Sequence, residues 1–222
     1  MAELSAIMAK IATQKKLSAQ ELQDLDRIMT ETQQRNSQVA NYISADNKLT
    51  LDFPLLPIYS EVLTVDTASL TITIPGGYRH ILFIGSGRCT AASYGELLNV
   101  QFNGDTGSNY VYAFISANGA GAAIAHNGSD SATAVRFGSF SAASAPAGTV
   151  SSFWSFIQDY TSSTFHKNFN SLSNRETDVL GHNNIELHTG AWKSNAVIES
   201  VKITPASGSL AAGSALTVFL LR

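Results

Sequence analysis

The spacing of apolar residues changes once along this chain. Leu4, Ile7, Met8 and Ile11 recur at three- and four-residue intervals, and so do Leu22, Leu25, Ile28 and Met29, the spacing that gathers side chains on one face of an α-helix. Between them, Ser18 is placed to cap a new helix, Glu21 to complete the capping box, and Leu17 to pack on Leu22. Two short amphipathic helices with a turn near residues 16–18, or one interrupted helix, are predicted over residues 1–36. Helices this short are marginal in water, so their stripe of Leu4, Met8, Ile11, Leu22, Leu25, Ile28 and Met29 needs a surface to cover. It is the predicted assembly face, packing as an intramolecular hairpin, on the rest of the chain, or on another chain.

Residues 37–58 read as an extended connector, pinned by the prolines of Phe53-Pro54-Leu55-Leu56-Pro57. After it the period becomes two. Leu70, Ile72 and Ile74 alternate with Ser69, Thr71 and Thr73 before Pro75-Gly76-Gly77 forces a turn. Further strands are predicted at 58–65, 78–85, 97–102, 110–116, 132–140, 149–158, 164–172, 185–188, 197–203 and 215–221. Turn-formers lie between them at Asn103-Gly104-Asp105, Asn118-Gly119, Asn127-Gly128 and Ala206-Ser207-Gly208. Many short strands without intervening helices predict a mainly β fold. Their number fits a jelly-roll-like antiparallel β-sandwich over residues 59–222, preceded by the helical segment, better than a seven-stranded immunoglobulin-type domain. No repeat of fixed period points to a propeller or solenoid.

Composition narrows the partners. Charged residues make up 14% of the 222, against about 25% in an average domain, so the surface is expected to be neutral and polar. Lys and Arg number 14 against 17 Asp and Glu, a net charge of −3, and no basic block is present to neutralise a row of phosphates, so nucleic acid is not an expected partner. The start, Met-Ala-Glu-Leu, lacks a basic region and a continuous apolar run, so neither a secretory signal nor membrane insertion is expected. The single cysteine, Cys89, precludes an internal disulfide framework and reads as a small buried residue.

Candidate chemistry is sparse, and no cofactor, metal or catalytic set is predicted. His80, His126, His166, His182 and His188 lack the close pairing of zinc sites. Asn103-Gly104-Asp105-Thr106-Gly107-Ser108-Asn109 spaces oxygen-bearing side chains as a calcium loop would, but without a closing glutamate, and between two strands it reads as a tight hairpin loop. For serine hydrolysis, Gly85-Ser86-Gly87 lacks the spacing of a nucleophile elbow, and Asp159 and His166 would need an arbitrary nucleophile. Glu96, Asp105, Asp159, Asp178 and Glu186 offer no recognisable glycosidase pair. Saccharide binding asks for less, an exposed aromatic ring with amides or acids around it. Trp192, in a predicted loop, is the residue read for that contact or else as a plug at the end of the sandwich; Trp154, inside a strand, is read as core.

Three stretches carry a resemblance. Tyr78-Arg79-His80-Ile81-Leu82-Phe83-Ile84-Gly85, Val100-Gln101-Phe102-Asn103-Gly104-Asp105-Thr106-Gly107-Ser108-Asn109-Tyr110, and Val197-Ile198-Glu199-Ser200-Val201-Lys202-Ile203 followed by Gly208 and Ala211-Ala212-Gly213-Ser214 resemble β-sandwich structural proteins of tailed-bacteriophage virions. The resemblance implies a fibre, spike, decoration or receptor-binding component. It would be made in the host cytoplasm, commonly trimeric, attached to other virion proteins through its N-terminal segment, and would display the β domain outward. A homotrimer also suits short helices and a charge-poor surface. A receptor module for a host-surface glycan and, third, a hydrolase of cell-surface polymer are the alternative expectations.

Overall fold

The structure, a computed structural model, describes residues 40–43, 49–52, 55–118, 124–179 and 181–222. The predicted helices of residues 1–36, with Leu4, Met8, Ile11, Leu22, Leu25, Ile28 and Met29, lie outside the described residues, as does Gly119 of the predicted Asn118-Gly119 turn. The chain divides into two units, up to Pro54 and from Leu55 onward. In the first, β1 (Ala40–Ile43) pairs antiparallel with β2 (Leu49–Asp52), Ala40 opposite Asp52 and Ile43 opposite Leu49. The stretch read as a connector thus contains a paired ribbon of β-forming residues such as Tyr42, Ile43 and Leu51.

The second unit is a two-sheet β-sandwich. The larger sheet runs in the order β3 (Leu55–Val62), β14 (Ala215–Leu221), β5 (His80–Gly87), β10 (Ser151–Ile157), β11 (Lys167–Arg175), β12 (Asn184–Trp192), β7 (Tyr110–Asn118), β8 (Ile124–Ala132). The smaller runs β4 (Leu70–Thr73), β13 (Ser200–Pro205), β6 (Gly95–Phe102), β9 (Val135–Ser141). All pairings between these strands are antiparallel. β3 begins at Leu55 and holds Pro57, which an edge strand tolerates because its missing N–H need not serve two neighbours. The register slips beside it, between Val218 and Phe219.

Alternation produces the core. Leu216, Val218 and Leu220 of β14, Ile81 and Phe83 of β5, and Val201 and Ile203 of β13 point inward and are buried in one shared cluster. Phe137 of β9 sits at its centre, its ring 5.3 Å from Phe83, 5.6 Å from Phe169 and 5.9 Å from Phe153. It bulges where the β6–β9 register slips between Leu98 and Asn99. The next residue, Gly138, has φ +143° and lies so close to Ser173 that an added Cβ would stand 2.4 Å from its side chain.

Two turn expectations are corrected. Asn103 and Gly104, both at positive φ, with Asp105 N donating to Phe102 O at 2.9 Å, make the tight turn expected there. They join strands of different sheets, however, because β6 pairs with β13 and β9 while β7 pairs with β12 and β8. Asn103 fixes that crossing: its Oδ1 accepts from Glu199 N and Ser200 N at 2.7 and 3.0 Å. Asn127-Gly128, expected as a turn, lies inside β8, where glycine is needed because a Cβ would meet Tyr112 O at 2.8 Å.

Candidate functional site

The open face of the larger sheet is an extended candidate surface. Every second residue of six adjacent strands points outward, and the register lines these residues into rows across the strands. The middle row is Thr217, Ile84, Trp154, Leu172, Leu187, Ile115. On one side of it run Ala215, Ser86, Ser152, Asn174, Ile185, Ala117; on the other, Phe219, Leu82, Phe156, Asn170, Thr189, Ala113. None of these residues bears a formal charge. Ile84, Trp154, Leu187, Ile115 and Ile185 are each between 47% and 56% exposed. A shallow groove of about 610 Å³, floored by Ile84, Trp154 and Leu172 and edged by Ser86, Ser152 and Asn174, runs over β5, β10 and β11.

Trp154 departs from the place expected for it, and Trp192 takes the plug position of its two expected places. Trp154, read as core, is on the open face, because its strand buries Ser151, Phe153 and Ser155 instead. Those serines are acceptable inside because they are paired: Ser155 Oγ donates to Ser171 Oγ at 2.6 Å, Ser171 Oγ to Phe137 O at 2.5 Å, and the Ser141 and Ser151 hydroxyls meet at 2.8 Å. Trp192, read as a saccharide contact or an end plug, closes β12 and is only 4% exposed. Its ring packs near Phe102 and Tyr110, at 5.8 and 6.5 Å, and its indole N–H donates to Asp105 Oδ2 at 2.7 Å. Buried in this way, it presents no face for a sugar to stack on.

Asp105 is thereby explained. Its carboxylate accepts from Trp192, from Gly107 N at 2.8 Å and from Asn109 Nδ2 at 3.0 Å, and the Trp192 donor above all holds it below the usual carboxylate range. The Asn103 and Asp105 side-chain oxygens of the 103–109 loop are thus engaged by Glu199 N and Ser200 N and by Trp192, Gly107 and Asn109. Beneath it Tyr110, whose hydroxyl donates to Asp105 O at 3.0 Å, is pushed up to about 12 by burial.

Glu186 and His188, two apart on β12 and so on the same inward face, form a buried pair that sequence spacing alone did not single out. His188 Nε2 lies 3.1 Å from Glu186 Oε2. Ser139 Oγ donates to Oε1 at 2.8 Å and Ser173 Oγ to Oε2 at 3.2 Å. Burial pushes the Glu186 carboxyl up, but His188, Ser139 and the nearby Arg175 outweigh it and bring it down to about 2. The His188 ring stacks on Phe114 at 5.0 Å. A carboxylate enclosed by these donors ties the two sheets together, since Ser139 belongs to β9.

The remaining histidines and charges are dispersed. His182 stacks on Tyr94 at 4.2 Å. Asp159, weighed with His166 for catalysis, is engaged elsewhere: its carboxylate pairs with Arg79, and its backbone N–H donates to His80 Nδ1 at 3.2 Å. Among the described residues no three of His, Cys, Asp and Glu gather where an ion would bind. Gly85 and Gly87 lie buried in β5 because Phe153 and Ser214 press on them, at 2.4 and 2.3 Å from where a Cβ would stand. Cys89 is buried, and that burial, aided by Glu96, raises its thiol to about 12. Arg88 donates to the carbonyls of Ala142, Ala145 and Pro146 at 2.9 Å and of Thr149 at 2.7 Å, holding the 142–149 loop.

At the β10–β11 loop a second open feature appears. Phe165 is 70% exposed yet held in place: buried Lys167 donates through Nζ to Ser162 O and, at 3.0 Å, to Phe165 O, while Ser162 Oγ accepts from Thr164 N and Phe165 N at 3.2 Å. With His166, Asn168 and Asn195 it borders a hollow of about 480 Å³.

No family model matches the chain, and no curated protein matches it. Among solved structures it is similar to an exo-inulinase from Aspergillus awamori, with a TM-score of 0.33 and 12% identity over 83% of this chain and 34% of that one. It thus spans about a third of the exo-inulinase. It is also similar to a mutant of alginate lyase Aly36B in complex with alginate trisaccharide, with a TM-score of 0.29 and 13% identity over 84% of this chain and 86% of that one. The infectious bursal disease virus VP2 subviral particle follows at a TM-score of 0.11 and 11% identity, over 83% of this chain and 46% of that one. At these scores no activity is carried across.

Proposed function

We propose that this chain is a structural component of a tailed-phage virion, with residues 1–36 docking or oligomerising and a jelly-roll-type β-sandwich displayed outward as part of a fibre, spike or decoration. One observation supports this reading best: among the described residues the buried ionic groups are consumed in bracing, Glu186 between the sheets and Lys167 under a loop, half-buried Arg88 holds another loop, and the sheet face that lies open is neutral and shallow. Such a face suits holding another surface rather than turning over a substrate. The resemblance of residues 78–85, 100–110 and 197–214 to virion β-sandwiches supports the location, and a homotrimer is the proposed assembly. Immunogold labelling and peptide mass spectrometry of purified particles test it. Labelled particles are expected, with a chain lacking residues 1–36 no longer incorporated; particles free of the protein would overturn the reading.

Recognition of a host-surface glycan is a second reading, favoured by the braced, exposed Phe165 beside Asn168, Asn195 and His166. A rigid ring flanked by neutral amides suits the apolar face and hydroxyls of an uncharged sugar. On a glycan array, Phe165→Ser is expected to lose binding that the parent shows. Equal signals from the two would remove this reading.

A further inference from the structure

We infer that the charge-free face of the larger sheet is an interface between copies of this chain. The inference goes beyond a virion role and stands on the face itself. Charged residues make up 14% of the chain, yet three consecutive rows across six strands carry no Asp, Glu, Lys or Arg. Charge depletion at the centre of a patch marks protein interfaces more reliably than bulk hydrophobicity does.

Size supports the same conclusion. Five strand spacings of about 4.8 Å make the face about 24 Å wide, and three rows along the strands span about 13 Å. With half a spacing added around the rim, the footprint is about 580 Å², near the upper end of the largest patches on monomers and approaching the roughly 800 Å² per partner of a standard interface. Within it, the apolar middle row from Ile84 to Ile115 is continued by Ile185 on one side and by Leu82 and Phe156 on the other, with Ser86, Ser152, Asn174, Asn170 and Thr189 interspersed, so the neutral surface is apolar across its width.

The chemistry of the middle row selects the occupant. Beside Trp154 stand Ile84, Leu172, Leu187 and Ile115, none of which can donate to or accept from a sugar hydroxyl. A charged partner would leave its charges unpaired against this row. A second copy brings the same neutral rows, so the face complements itself, and closed assemblies of identical chains are built from such surfaces.

The test uses the full chain. Sedimentation of the parent is expected to show a dimer or trimer, and Trp154→Glu with Leu187→Glu to weaken association about tenfold or more. Thr73→Glu, on an exposed position of β4, should leave association unchanged. Because residues 1–36 can hold copies together independently, a second measurement places photoreactive benzoylphenylalanine at position 154 in a mixture of isotopically heavy and light chains. Heavy–light cross-links landing on the rows of another copy support the interface, and this variant retains a bulky apolar ring if the glutamates prevent folding. A monomeric parent, unchanged association of the glutamate variant together with no heavy–light cross-link to the rows, cross-links confined to residues 1–36 of the same chain, or displacement of the cross-link by a neutral oligosaccharide would each overturn it. A monomeric parent would remove the proposed homotrimer as well, but none of these results bears on whether the protein is found in virions, so the location and the interface fail separately.

Discussion

Replacing Trp192 with phenylalanine tests whether this ring is a structural plug. The substitution keeps an aromatic ring between Phe102 and Tyr110 but removes the N–H that reaches Asp105 Oδ2 at 2.7 Å. A hydrogen bond to an ionised acceptor contributes about 1.5–3 kcal/mol; Asp105 is partly exposed, so about 1 kcal/mol is the fitting figure. The smaller ring leaves a void worth about 1 kcal/mol more. A loss of about 2 kcal/mol lowers Tm by about 4–8 °C in a chain of this size. Urea unfolding of Trp192→Phe, Asp105→Ala and the double variant should give a coupling of about 1 kcal/mol. By NMR, the Asp105 carboxyl should titrate higher in Trp192→Phe, since the indole donor is the main cause of its depression. An unchanged unfolding midpoint together with an unmoved Asp105 titration would refute the plug.

Gly85→Ala should destabilise by about 1–3 kcal/mol in urea melts, because the Phe153 ring stands 2.4 Å from the new Cβ. Glu186, down from an ordinary 4.5 to about 2 in the folded protein, stabilises fully above the unfolded value, and that contribution drains away as pH falls from about 4.5 to about 2. It amounts to at most about 3 kcal/mol, so the drop in urea midpoint between pH 6 and pH 2.5 should be smaller in Glu186→Gln than in the parent. Arg88→Lys replaces a planar fork that reaches four carbonyls with one ammonium. Hydrogen exchange should quicken across residues 142–149, with about 2 kcal/mol lost in unfolding assays.

Much of the sandwich was legible because period-two alternation is set locally: strands near 70–74, 78–85, 97–102 and 215–221 follow from side chains that must face opposite ways. Which face is buried is not local. In Ser151-Ser152-Phe153-Trp154-Ser155 the pattern says only that Phe153 and Trp154 point apart. Ser155 goes inside because Ser171, on a strand sixteen residues away, receives its hydroxyl hydrogen, and the tryptophan is left outside. The Glu186–His188 pair was hidden for the same reason, since Ser139 and Ser173 reach Glu186 from other strands. Asn103-Gly104 announced a turn, but not that Asn103 would bind Glu199 N and Ser200 N and send the chain to the opposite sheet. The open face could not be seen either, because its rows exist only once six strands share a register.

The position of β14 has a consequence for the order in which the chain can fold. It lies between β3 and β5, and among the described residues β3 has no other neighbour in its sheet. Synthesis proceeds from the N-terminus at about 5–20 residues per second, so β3 waits through more than 150 residues of growth before the strand that holds it exists. A nascent chain must therefore carry Leu55–Val62 unpaired, with Pro57 as its guard against joining another chain's sheet. Only when Leu221 pairs with Leu55 does the sheet acquire its final edge. Loss of the last few residues thus reaches back to the first strand of the sandwich, and a C-terminal truncation should behave as a defect in the N-terminal edge.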